Sequence, residues 1–425
     1  MTGLSLGVDL GTSGIRSAVL GEDGQVISTA RGNYAPINPD RVDAMAWWAG
    51  VAACLSAQID ILNEQGIDPQ RIARIAVDGT SGSLVLTDAG LRPVTRALMY
   101  NDGGFADEAA RIAIHAPASH ITQGPNSSLA RVLRLMDEDR DRNAVHLLHQ
   151  ADFIAARLSG RGGISDHNNA LKTGFDPDDG VWPDWFEPLG LPERLLPEVR
   201  PAGAIGATIS PQIAAEFGLS PDVMVHLGTT DSIAAFLAAA PLQIGAAVTS
   251  LGTTLAVKML SDQRIDDPGI GLYSHRLGDG WLVGGASNTG GGVLRQFFST
   301  EALQALSAQI DPTIPSDLDY YPLSKPGERF PVNDPHLAPR LSPRPADDAL
   351  YLHGLLESIA RIEARCYAAM AERGAPTPSP LYTAGGGAAN SVWTQIRERV
   401  LGISCQSATH TEAAIGVARL IHPAA

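Results

Sequence analysis

Cysteine and lysine are both scarce in this chain of 425 residues. Its three cysteines, Cys54, Cys366 and Cys405, are odd in number, far apart and never spaced as C-x-x-C. That argues against a disulfide framework or a thiolate zinc site and fits a reducing compartment. Lys172, Lys258 and Lys325 are the only lysines, and no G-x-x-x-x-G-K-[ST] run occurs, so phosphates bound here would be held without a Walker lysine. Positive charge is short as well. Lys and Arg number 31 against 46 Asp and Glu, a formal net charge of −15, which makes nucleic acid and anionic membranes poor partners. No basic signal-like stretch precedes Asp9. The most apolar window, Ile233 to Val248, is broken by Pro241 and Gln243 and is too short to span a bilayer. A cytoplasmic protein without signal peptide or membrane span is the expectation.

What is present is an α/β pattern of about two domains' length. Leu4–Val8 reads as a strand, Gly11–Gly14 as a turn and Ile15–Leu20 as a returning strand, followed by Gln25–Arg31. A helix is expected from Ala44 to Gln65, capped by Asp43 and ended by Gly66. Arg71–Val77 and Val223–Leu227 are strands, and Gln150–Leu158 reads as a helix. The pattern then restarts: Ala246–Ser250 and Leu255–Leu260 repeat the strand, Gly-Thr turn and return of Val8–Val19. A Gly-Asp-Gly hairpin joins Leu272–Leu277 to Trp281–Val283. Ala349–Glu372 is a long helix, Leu381–Ala384 a strand, and Val392–Leu401 and Glu412–Ile421 are closing helices. The break is expected near Pro241–Gly245, giving domains 1–242 and 243–425. The proline-rich segment 299–345 reads as a surface excursion.

Nearly every Gly/Ser/Thr cluster follows a strand, where open α/β sheets present backbone N–H groups to ligands. In Asp9-Leu-Gly-Thr-Ser-Gly14, Gly11 and Gly14 permit a tight turn, while Thr12 and Ser13 offer donors to phosphate oxygens. Asp9 is a hard oxygen ligand for Mg²⁺, directly or through water. The same run is equally a hairpin with a capping aspartate. Ser250-Leu-Gly-Thr-Thr254 repeats the chemistry without the aspartate, with Ser250, Gly252 and Thr253 as donors. Gly385-Gly386-Gly387-Ala388-Ala389-Asn390 lets a flat ring approach the backbone or lets a strand and helix pack closely. Asp231, in Gly228-Thr-Thr-Asp231, is either a helix cap or the base that takes a proton from an acceptor hydroxyl. A helix N-terminus would keep it ionised. Ser81 and Thr80, within Asp78-Gly-Thr-Ser-Gly82, are candidates to bind a sugar or to form a buried turn. Asp166-His-Asn-Asn169 reads as a polar surface loop, and Trp47 and Trp48 as core.

In this order and spacing the clusters resemble the FGGY carbohydrate kinases, members of the actin-like ATPase superfamily with hexokinase and the heat-shock ATPases. The likeness covers essentially the whole chain. Val8–Arg16 resembles the first phosphate motif, Ser250–Thr254 the second, Thr383–Asn390 the adenosine motif and Gly228–Asp231 the catalytic-aspartate motif. Gly284–Asn288 resembles the glycine-rich strand end before the first helix of the second domain. The resemblance implies two ribonuclease-H-like domains with a cleft between them, and ATP and Mg²⁺ as cofactors. It implies Asp231 as general base, also touching the substrate, with Asp9, Thr12, Ser13 and Gly14 toward substrate; Ser81 joins them as a substrate-binding candidate from the residue reading alone. Gly11, Thr12, Ser13, Ser250, Gly252, Thr253 and Gly386 to Asn390 would hold the nucleotide.

The chain departs from the commoner members at Asp78-Gly-Thr-Ser-Gly82, where xylulokinases carry glutamine-methionine-histidine-glycine and glycerol kinases an arginine–glutamate pair. Around Tyr100-Asn-Asp102 the tryptophan and arginine of W-x-D-x-R are missing. The compact form resembles short D-ribulose kinases, so D-ribulose is the expected substrate and D-xylulose or another polyol the alternative. A chaperone-type ATPase or a non-catalytic sugar-binding regulator is the competing class. Sugar-dependent ADP release separates these readings. No nucleic-acid or membrane partner is expected, and the chain would be a monomer or homodimer.

Overall fold

The computed structural model describes residues 3–12, 14–32 and 43–423, which fall into two compact units, Met1–Ala238 with Glu412–Ala425, and Ala239–Thr411. Eight helices position the elements discussed below. They are α1 (Ala44–Glu64), α2 (Gln150–Ser159), α3 (His167–Thr173), α4 (Asp231–Ala239), α5 (Thr300–Ser307), α6 (Asp348–Ala371), α7 (Ser391–Leu401) and α8 (Ala413–Leu420).

The first unit is built on a six-stranded sheet of β1 (Leu4–Gly11), β2 (Gly14–Leu20), β3 (Val26–Gly32), β4 (Ile72–Gly79), β5 (Ile205–Thr208) and β6 (Met224–Thr230). Their spatial order is β3-β2-β1-β4-β6-β5. β1 pairs antiparallel with β2 and parallel with β4, and β4 pairs parallel with β6, so β1, β4 and β6 end on one edge of the sheet. Because helices cover both faces, β1 is buried along nearly its whole length. Leu4, Leu6, Val8 and Leu10 join Trp47, Val51 and Leu55 of α1 in one core. On the other face Gly7 meets α8: a Cβ there would lie 2.1 Å from the Ala414 carbonyl oxygen. Asp43 caps α1 by accepting from Met45 N at 2.8 Å, as the sequence predicts. α1 is long and apolar enough to cross a membrane by length and composition, yet half of that stretch is buried.

The second unit repeats the arrangement with β7 (Ala247–Leu251), β8 (Leu255–Ser261), β9 (Tyr273–Leu277), β10 (Gly280–Ser287), β11 (Leu381–Ala384) and β12 (Cys405–Ser407), ordered β9-β10-β8-β7-β11-β12. The strands β10-β8-β7-β11-β12 have the same pairing directions as β3-β2-β1-β4-β6. Each unit thus carries the ribonuclease-H-like order, and the duplication read from the two Gly-Thr turns extends to the whole sheet.

One boundary differs in packing and one expectation needs correction. The second domain is expected at 243–425, while the second compact unit ends at Thr411 because α8 packs on β1, β2 and β4 of the first unit. The reason is the run of small residues on its inner face: Ala414 and Ala418 sit against Gly7, and Gly416 against Ala234 of α4. Segment 299–345 is not a surface excursion. It contributes α5, and Tyr320, Tyr321, Leu323 and Phe330 are buried in the core of the second unit. Glu328, also buried, holds the segment to the Gly284–Asn288 run by accepting from Ser287 Oγ (2.6 Å), Asn288 N (2.6 Å) and Tyr321 Oη (3.0 Å).

Candidate functional site

Three carboxylates mark the edge of the first sheet. Asp9 leaves the end of β1, Asp78 lies opposite it in register on β4, and Asp231 begins α4 directly after β6. Asp78 is completely buried, and neither of its oxygens accepts a hydrogen bond from the described residues. Burial, then the charges of Asp9 and Asp231, push its carboxyl well above the usual range. Burial also raises Asp9, opposed by neighbouring Asp78 and by Arg16, whose Nη1 lies 3.3 Å from Asp9 Oδ2. Arg16 is oriented in turn by Glu412, at 2.9 Å from its Nε. Asp231 is half-buried, and its Oδ1 accepts from Ser232 N at 2.6 Å.

The turns around these acids divide between framework and open groups. Thr12 is exposed and its hydroxyl donates to Tyr100 Oη at 3.3 Å. Gly11 is half-buried and Gly14 buried, while Ser13 lies outside the described residues. Thr80 is used up internally: its N and Oγ1 both donate to Gln150 Oε1, at 2.9 and 2.8 Å. Ser81 beside it is half-buried, and its hydroxyl makes no hydrogen bond among the described residues. Trp47 is core, as expected.

Several residues around these acids carry no motif. Arg131, fully buried, donates to the carbonyls of Tyr100, Asp102 (3.2 Å) and Asn126 (3.1 Å) and so fixes the loop beside Ser81–Gly82. Asp166-His-Asn-Asn169, expected on the surface, is interior at Asp166, Asn168 and Asn169. Asp166 caps α3 through Asn168 N (2.8 Å) and Asn169 N (3.2 Å), and Asn168 Nδ2 donates to Thr229 Oγ1 at 3.1 Å, two residues before Asp231. Burial and nearby Asp152 push Asp166 up to about 7. These hydrogen bonds serve most of the buried polar groups of the run, while Asn168 Oδ1 has no partner among the described residues.

In the second unit a cavity of about 680 Å³ opens between the end of β7, the 386–393 turn and α5. Of the residues proposed for nucleotide, Gly252, Thr253, Gly386, Gly387, Ala389 and Asn390 line it; Ser250 and Ala388 do not. The glycine triplet has two duties. Gly385 (φ 83°) and Gly387 are packed so closely on Leu251 that a Cβ would lie 2.8 and 2.6 Å from it, whereas Gly386 faces open space. Asn390 caps α7 through Trp393 N (3.0 Å) and donates to Ser307 Oγ (2.8 Å). The remaining wall comes from Leu294, Arg295 and α5, none of which the sequence reading included. The only charged residue among the described lining is Arg295, whose Nη2 donates to Thr253 Oγ1 at 2.9 Å.

A magnesium ion carried by a triphosphate needs only one or two protein carboxylates, and Asp9 offers one at a strand end. Among the described residues no group of three His, Cys, Asp or Glu forms a resident metal site.

Comparison with known proteins identifies the family and the fold. The N-terminal domain model of the FGGY family of carbohydrate kinases matches residues 4–238, and its C-terminal domain model matches residues 247–423. Among curated proteins, a Bacillus subtilis gluconokinase is 23% identical over 329 residues, covering 73% of this chain and 63% of that protein. A xylulose kinase of Escherichia coli is 24% identical over 290 residues, covering 65% and 58%. The matched region thus spans less than two thirds of either relative. Solved structures share the fold. Xylulose kinase from Rhodospirillum rubrum superposes with a TM-score of 0.83 at 21% identity, covering 98% of this chain and 89% of that one. Plasmodium falciparum glycerol kinase with ADP gives 0.82 at 14%, covering 98% and 88%.

Proposed function

This chain belongs to the FGGY family of carbohydrate kinases, and from that premise we propose that it transfers the γ-phosphate of ATP to a hydroxyl of a ketopentose. D-ribulose is the proposed substrate and D-ribulose 5-phosphate the product. The observation that carries the kinase reading is that Asp9 on β1, Asp78 beside it on β4 and Asp231 at the head of α4 gather at one edge of the first sheet. Asp231, half-buried at the head of α4, takes the hydroxyl proton as the bond to phosphorus forms and ADP leaves. Asp9 would hold the magnesium ion, which when bound neutralises phosphate charge. Thr12 and the 250–254 turn offer donors to the phosphates, and the cavity beside Gly386 is large enough for a nucleoside.

The ribulose reading rests on Asp78-Gly-Thr-Ser-Gly82 and on Ser81, whose unengaged hydroxyl is free to meet a sugar. A second reading follows from the relatives, which are named xylulose kinase and gluconokinase. The test is ADP release with D-ribulose, D-xylulose, L-ribulose, D-gluconate and glycerol in turn. A kcat/KM highest for D-ribulose supports the proposal. A clear preference for another sugar overturns the substrate and keeps the kinase; no sugar-dependent release overturns both.

A further inference from the structure

Strands β7 and β11 lie side by side and parallel, with Thr249 directly opposite Thr383. Each leads into one of the two nucleotide clusters, at Ser250–Thr254 and Gly385–Asn390. Just beyond the two threonines the clusters touch through backbone, since a Cβ on Gly385 would lie 2.8 Å from the Leu251 carbonyl. The spacing of the clusters therefore depends on how these two strands are held.

An ion pair holds them. Arg397 of α7 and Glu363 of α6 have no exposed side-chain surface and meet in a two-pronged contact, Nε to Oε2 and Nη2 to Oε1, each 2.7 Å. The third guanidinium nitrogen, Nη1, donates to Thr383 Oγ1 at 2.7 Å. Thr249 Oγ1 donates to Glu363 Oε1 at 2.5 Å and lies 2.9 Å from Tyr367 Oη. Each partner of the ion pair grips one threonine. None of the four residues lines the cavity.

Burying such a pair is a poor way to gain stability, because desolvating both charges consumes much of their attraction. What it supplies is direction: planar, charge-assisted hydrogen bonds that set one strand against the other. We propose that Arg397 and Glu363, acting through Thr383 and Thr249, are positioning residues that fix the two nucleotide-binding loops in register. The inference rests on the reading of this cavity as the nucleotide site.

The test measures ADP binding by calorimetry, well below the melting temperature, alongside KM for the sugar. Thr383→Val removes one grip and leaves the ion pair intact, so ADP binding should weaken about tenfold, with the sugar KM within about twofold of wild type. Thr383→Ser keeps the hydroxyl and should restore wild-type affinity, and Thr249→Val should resemble Thr383→Val. Arg397→Met and Glu363→Gln should lose more, and the threonine variants decide the matter if those two do not fold. Valine variants with a lower melting temperature but unchanged ADP affinity would overturn the proposal and leave a structural ion pair. A wild-type protein that binds no ADP would instead overturn the nucleotide reading on which it rests.

Discussion

Gly416→Ala probes the packing of α8 in the first unit, where two opposite effects can be compared. Alanine is the better helix former by roughly 0.5–1 kcal/mol, so propensity alone predicts stabilisation. Against that, the new Cβ would sit 1.7 Å from the Ala234 carbonyl oxygen and 2.8 Å from Ala238 N, both backbone atoms of α4 that no rotamer change can move aside. The helices must part by about an ångström or more, an overpacking cost of about 1–3 kcal/mol. The clash outweighs propensity, and a net loss of about 1–2 kcal/mol is expected. It also reaches the site. Glu412 lies one turn before Gly416 and orients Arg16, which contacts Asp9. The assay is urea unfolding with hydrogen exchange read at β1 and α4, followed by turnover. Loss of protection there with reduced turnover is expected. An alanine variant as stable as wild type, or more so, would refute the close approach of α8 and α4.

Three further outcomes are expected. Ser81→Ala should raise KM for the sugar several-fold, in line with about 0.5–1.5 kcal/mol for one neutral hydrogen bond, and leave KM for ATP unchanged; equal effects on both substrates would remove Ser81 from the sugar site. Asp9→Ala should abolish most Mg²⁺-dependent turnover while ADP still binds, and an unaltered response to Mg²⁺ would remove its metal role. Asp166, held up to about 7 in the folded state against an ordinary 3.8, keeps a proton that the unfolded chain has lost between those values. Stability therefore falls as pH rises through that window and levels off above it, by at most on the order of 4 kcal/mol. Asp166→Asn should flatten this slope in urea titrations from pH 4 to 8, and parallel curves for both proteins would contradict the assignment.

The strands and turns were legible because apolar runs bounded by glycine announce both the element and its end: Leu4–Val8 and Ala246–Ser250 needed no tertiary information. Asp9, Asp231 and the Gly386 turn stood out for the same reason, each following such a run. Burial of polar groups was not legible. Asp166, Asn168 and Asn169 look like a surface loop until their mutual hydrogen bonds are seen, and a lone arginine such as Arg131 or Arg397 carries no pattern at all. α5 was hidden by its proline-rich surroundings, and with it went one part of the cavity wall, Thr300, Leu303, Gln304 and Ser307. The helix at 413–420 was readable, but nothing local says that its glycine and alanines face β1 rather than the strands just before it.

The most direct test is ADP formation by wild-type protein and Asp231→Asn, each with and without D-ribulose, at saturating MgATP. Wild-type protein should form ADP rapidly only with the sugar, with sugar phosphate appearing one for one. Asp231→Asn should lose roughly 10²–10⁴-fold in turnover while binding ADP as wild type does. ADP formation that ignores the sugar, or a variant that turns over at the wild-type rate, would contradict the account.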